Sequence, residues 1–92
     1  MHRDNKLVSR LLRAADLPEE PVPGQPIIEI VGRQRVLIEN HIGVMEYGDC
    51  VVRIKVKYGA ICVQGCHLEL SRMTKGQLII SGIIECVKLE GR

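Results

Sequence analysis

VVRIKVKYGAICVQG, Val51 to Gly65, is the best-patterned stretch of the chain. Val52, Ile54, Val56 and Tyr58 alternate with Arg53, Lys55 and Lys57, so one face is apolar and the other basic; Gly59 then turns the chain into a second apolar strand closed by Gly65. A period of two is the signature of a half-buried strand. The hairpin it predicts is the element that the other segments pair with.

Ahead of it, Ile42 to Tyr47 reads as a strand joined through Gly48-Asp49, a two-residue turn with glycine first that matches strand twist. Further back, Ile27 to Val31 and Arg35 to Glu39 form a hairpin around Gly32-Arg33-Gln34, and Asn40 and His41 interrupt the alternation. After Gly65 come His67 to Arg72, a turn over Met73 to Gly76, and Gln77 to Ser81 and Ile83 to Leu89 with Gly82 between them. IEIVG, ICVQG and LIISG repeat one form, aliphatic residues at alternate positions closed by glycine at 32, 65 and 82. Glycine inside a strand pattern marks a bulge or tight bend, which suits strands passing from one sheet to another or stacked solenoid rungs; the unequal spacing favours a sandwich or partly closed barrel. The expected fold is all-β, a small antiparallel β-sandwich of about seven or eight short strands.

Composition agrees. The chain has 92 residues, 46% of them hydrophobic, with no Phe and no Trp, and its apolar set is mostly Ile and Val. β-branched side chains suit a pleated surface better than a helix. A domain this small buries only roughly 60% of its unfolded surface, so a partner subunit is expected to add stability, and a homodimer is the simplest form of it. A net charge of +2, interspersed signs and two tyrosines exclude the concentrated basic patch and stacking platform of a nucleic-acid binder. There is no run of about 18 apolar residues and no export signal, so a cytoplasmic location with the four cysteines reduced is expected.

The N-terminal part differs. Leu7, Val8, Leu11, Leu12 and Ala15 recur at helical spacing behind Asp4, a potential N-cap, while Arg3, Lys6, Arg10 and Arg13 form a basic stripe beside them. This predicts an amphipathic helix over 1–16. Its leucines either pack on the β domain or a second subunit, or lie against an anionic membrane surface or a membrane-protein partner. LPEEPVPGQ over 17–25, with three prolines and a glycine, is a linker. The β domain occupies 26–92.

Reactive side chains are present without a reactive arrangement. Cys62, Cys66 and His67 have a spacing that a structural zinc site permits, and a small metal-binding regulatory domain is the alternative reading. Cys62, however, lies mid-strand between Ile61 and Val63, where buried cysteine behaves as a small apolar residue. Neither His41 nor His67 makes a nucleophile signature with a cysteine, the glutamates fall on polar strand phases, and no Gly-rich loop leads into a helix. No enzyme, cofactor, metal or small-molecule substrate is expected. The Arg53, Lys55, Lys57 row reads first as charge that keeps a strand soluble.

IENHIGVMEY (Ile38 to Tyr47), KVKYGAICVQG and LIISGIIECVKLE, in that order, resemble the YabP/YqfC family of bacterial sporulation proteins, with the IENH-x-G segment closest to the YqfC branch. The resemblance covers Pro26 to Leu89. It implies an immunoglobulin-like sandwich able to form homodimers, no enzymatic activity, and a role in spore formation and coat morphogenesis in Firmicutes. It also implies a membrane-protein partner of the YqfD kind, met from the mother-cell cytoplasm at the outer forespore membrane. The family offers no catalytic residues to carry over, and the four cysteines are outside its pattern. The candidate partner-binding residues are therefore Leu7, Arg10, Leu11 and Leu12 of the helix, with Asn40 and His41 at the interrupted corner.

Overall fold

A computed structural model describes residues 23–91, all of whose regular structure is β. The predicted helix over 1–16, with Leu7, Arg10, Leu11 and Leu12, lies outside the described residues, as does most of the linker. Six strands form: β1 (Ile27–Val31), β2 (Arg35–Glu39), β3 (Gly43–Tyr47), β4 (Val51–Val56), β5 (Gly59–Met73) and β6 (Gln77–Gly91). They make one antiparallel sheet in the order β1-β2-β6-β5-β4-β3. Among the described residues no helix is long and apolar enough to cross a membrane.

The count is six rather than seven or eight because Gly65 and Gly82 do not end strands. They lie inside the 15-residue strands β5 and β6, where the ladder shifts register between Gln64 and Gly65 and again between Cys66 and Glu69. A Cβ on Gly65 would stand 1.9 Å from Ile83 O, and one on Gly82 would stand 2.5 Å from His67 O. Only glycine lets the two backbones approach so closely, and the bulges bend the ladder there.

The topology requires that bend. β2 and β3 are four positions apart in the sheet, about 19 Å if it were flat. Only Asn40, His41 and Ile42 join them, and the step from Glu39 to Gly43 spans at most about 14 Å when extended. The sheet therefore curls about the middle of β5 and β6. One half holds β1, β2 and residues 77–81 and 69–73; the other holds β3, β4 and residues 59–66 and 83–91.

The inner face carries the predicted apolar phase. Val36 and Ile38 from β2, Val52, Ile54 and Val56 from β4, Ile61, Val63 and Leu68 from β5, and Leu78, Ile80 and Ile84 from β6 form a single buried cluster. Each full burial of such a side chain contributes about 1.5–3 kcal/mol before the entropy of ordering is charged against it.

β4 stops at Val56, short of the predicted end at Tyr58. Tyr58 adopts φ 70°, in the left-handed region, and its ring is exposed instead of joining the apolar face. Lys57 and Tyr58 make the tight turn between the paired residues Val56 and Gly59.

Candidate functional site

One end of the domain gathers most of what is chemically distinctive. Asn40 leaves β2 with φ 66°, a left-handed conformation that asparagine tolerates better than most residues. That geometry lets its backbone N–H donate to Gly76 O at 2.7 Å and its Nδ2 donate to Gln25 O at 2.8 Å. Two residues later, the Ile42 N–H donates to Lys55 O at 2.7 Å, which starts β3 beside β4. Lys57 Nζ, 5.4 Å from the centroid of the Tyr58 ring, donates to Pro23 O at 2.7 Å. Asn40 and Lys57 thus strap residues 23–25, and with them the exit toward the N-terminal segment, to this end of the sheet. His41 sits between, half-buried, with its Nδ1 buried and without a hydrogen-bond partner among the described residues.

Beside the strap, an open trough of about 460 Å³ runs over the outer face of the β3-β4-β5-β6 half. Its floor is low because small residues, Gly59 and Ala60 on β5 and Gly91 on β6, lie beside Lys55. Its walls are Ile42, Met45 and Tyr58, exposed by 60%, 51% and 61%. A second cavity of about 550 Å³, lined by Asn40, His41 and Lys75, adjoins it and shares Ile42 and Lys57. The combined surface is apolar in its walls and basic at its rim.

The Arg53, Lys55, Lys57 row is not a uniform charged face. Arg53 reaches across β5 to β6, where Nη2 and Nε donate to Glu90 Oε1 at 2.7 and 3.2 Å, and its Nη1 lies 3.9 Å from Glu46. The hydrogen bonds that Arg53 donates to Glu90, followed by the charge of that carboxylate, hold the guanidinium above its ordinary pKa. Lys57 holds the strap. Lys55 has no ion-pair partner among the described residues, which leaves it and Lys75 as the cations available to a ligand at this end.

The metal reading does not gather. Cys62, 4% exposed, stands in register between Arg53 and Lys88, and burial pushes its thiol up. Cys66 is at the bend with Sγ 3.8 Å from Glu85 Oε2, whose negative charge is the main cause that raises its thiol. His67, also in the left-handed region at φ 53°, is 81% exposed with Nδ1 3.9 Å from Asp49 Oδ1. Among the described residues no three His, Cys, Asp or Glu side chains are placed to hold a metal ion. Raised thiols are also poor nucleophiles.

Of the sequence candidates, Asn40 and His41 are brought together at the strap. Ile42, Met45, Tyr58 and Lys75 were not singled out by pattern. The one sequence hint was Tyr58 immediately ahead of Gly59, a position where a turn can throw an aromatic outward.

The YabP family model matches residues 24–92. The chain is also similar to the "Uncharacterized protein YqfC" of Bacillus subtilis (strain 168), with 28% identity over 86 residues that cover 94% of this chain and 92% of that protein. No solved structure matches. The matched span runs from the strap at Gly24 through the whole bent sheet, and the resemblance read from IENHIGVMEY and the segments after it, Pro26 to Leu89, lies within it: the chain belongs to the YabP family.

Proposed function

We propose that this protein is a non-enzymatic interaction module of spore formation that binds a protein partner through the strap end of its β domain. The observation that carries this is the trough. Three large apolar side chains stand exposed around a floor of small residues, lysines rim it, and the N-terminal segment leaves the domain at its edge. Exposed apolar surface grouped in this way marks binding sites more often than chemistry. The leucine stripe of Leu7, Leu11 and Leu12, with Arg10 beside it, extends the same contact.

The sporulation role, the partner of the YqfD kind and the place of action, the mother-cell side of the outer forespore membrane, follow from the family resemblance. In this reading the two halves of the curled sheet serve as the layers of an immunoglobulin-like sandwich, a rigid support for the contact. A tagged copy recovered from sporulating cells tests the proposal. Wild type is expected in the membrane fraction with a membrane protein bound, and Met45→Glu with Tyr58→Glu, or Leu11→Glu with Leu12→Glu, is expected to abolish that recovery. Unchanged recovery in both variants sinks the proposal.

A further inference from the structure

Because β4 pairs with only the first part of β5 and β2 with only the first part of β6, the remaining lengths of these two strands are edges of the sheet, as are β1 and β3. β3 is bulged between Val44 and Glu46, Glu46 leans toward Arg53, and the Tyr47 hydroxyl accepts the Leu70 amide at 3.1 Å. That bond joins the β3 edge to the opposite edge of β5. The outer edge of β6 begins beneath Arg33, whose Nε donates to Ile84 O at 3.3 Å, and continues with Glu85, Lys88 and Glu90 along it.

β1 has none of these protections among the described residues. It pairs with β2 in unbroken register from Ile27 to Val31, contains no lysine or proline, and carries one charge, Glu29. Ile27, Ile30 and Val31 are exposed by 48%, 54% and 38%. The adjoining turn bonds to β6 on either side of Ile83, through Gly82 N to Gln34 O and Ile84 N to Arg33 O, so that exposed isoleucine extends the apolar surface. A strand edge in this state is a template for another strand.

We infer that β1 pairs antiparallel with β1 of a second copy across a two-fold axis, joining two sheets into one. The sequence of β1 is suited to meeting itself. In a two-fold antiparallel pair, residues on the same face oppose one another. An axis through Glu29 would set two carboxylates face to face, whereas an axis through Ile30 sets isoleucine against isoleucine and Glu29 against the partner's Val31. Arg35 is the cross-strand neighbour of Val31 on β2, so each Glu29 then points along a row that ends in the partner's arginine. Keeping the two Glu29 carboxylates from standing directly opposite one another favours that register over the one through Glu29. This pairing uses neither the trough nor the leucine stripe, so it stands or falls separately from the function proposed above.

Sedimentation equilibrium on the full chain tests it. Wild type is expected at twice the chain mass of 10.3 kDa. Ile30→Lys and, separately, Ile27→Lys are expected at the monomer mass with an unchanged β-sheet circular dichroism spectrum, and Leu11→Glu with Leu12→Glu is expected to remain dimeric. Hydrogen exchange of wild type over a dilution series gives a readout that needs no variant: amides of β1 are expected to lose at least about tenfold of their protection as the dimer dissociates. A monomeric wild type, a dimer that survives both lysine substitutions, a dimer lost in the leucine variant, or β1 exchange independent of concentration overturns the inference.

Discussion

Tyr47 Oη accepts a hydrogen bond from the Leu70 amide at 3.1 Å, and this contact joins an edge of one half of the curled sheet to an edge of the other. Tyr47→Phe keeps the ring and removes the acceptor. The expected cost is about 0.5–1.5 kcal/mol, the usual net contribution of one hydrogen bond, read as a lower urea midpoint with an unchanged slope. Faster exchange of the Leu70 amide in the same variant assigns the loss to this contact.

The bend makes a sharper demand. Gly65→Ala places a methyl group 1.9 Å from a backbone oxygen that belongs to a paired strand and cannot swing away. Destabilisation of about 3 kcal/mol is expected, the upper end for overpacking. Gly76→Ala, with nothing within 4 Å of its added Cβ, is the control and is expected within about 0.5 kcal/mol of wild type. Thermal unfolding of the two variants side by side decides it.

Asn40 contributes a conformation and a strap, and two substitutions separate them. Asn40→Gly keeps φ 66° available and deletes the Nδ2 bond to Gln25 O, at a cost of about 0.5–1.5 kcal/mol. Asn40→Ala also leaves in the left-handed region a residue without the polar side chain that lets asparagine adopt it, and is expected to cost about 1–2 kcal/mol more than Asn40→Gly. Both variants are expected to speed amide exchange at Gly24 and Gln25.

The thiols are expected to react in an order set by burial and charge. At about pH 8, Cys50 and Cys86, both exposed, alkylate first, Cys66 follows slowly beside Glu85, and Cys62 reacts only on unfolding. Mass spectrometry of labelled peptides gives the order, and Glu85→Gln is expected to speed Cys66 specifically. Because the folded Cys62 thiol sits above its ordinary 9.0, the stability gained by keeping it neutral is fully present below pH 9.0 and is lost as pH rises through the raised folded value. Cys62→Ala is expected to remove that alkaline loss.

Local pattern carried the strands well where each strand has one partner face and a clear end. Ile27–Val31 and Arg35–Glu39 have the bounds that alternation and Gly32 predict, and the inward phase of Val52, Ile54 and Val56 is the core phase. Pattern failed at Gly65 and Gly82, because a glycine that turns a chain and a glycine that lets two backbones close up look alike until the partner strand is known. It failed at Tyr58 for a related reason: alternation placed the ring inward, but the turn into Gly59 takes the residue out of the strand. The corner at Asn40 and His41 was visible as an interruption. The trough was not, since its floor and walls come from β3, β4, β5, β6 and the β4–β5 turn, a juxtaposition that exists only in the register.

β5 and β6 run unbroken through both halves of the sheet, and the chain crosses between the halves again through Asn40, His41 and Ile42. The domain therefore has no seam along which one half can melt while the other persists. Fraying is confined to the ends, at β1 and at the tip around Lys75, and loss of structure beyond them is all-or-none. The contact proposed over Met45, Tyr58 and the Lys55 row therefore rests on the part of the sheet that melts only with the whole molecule.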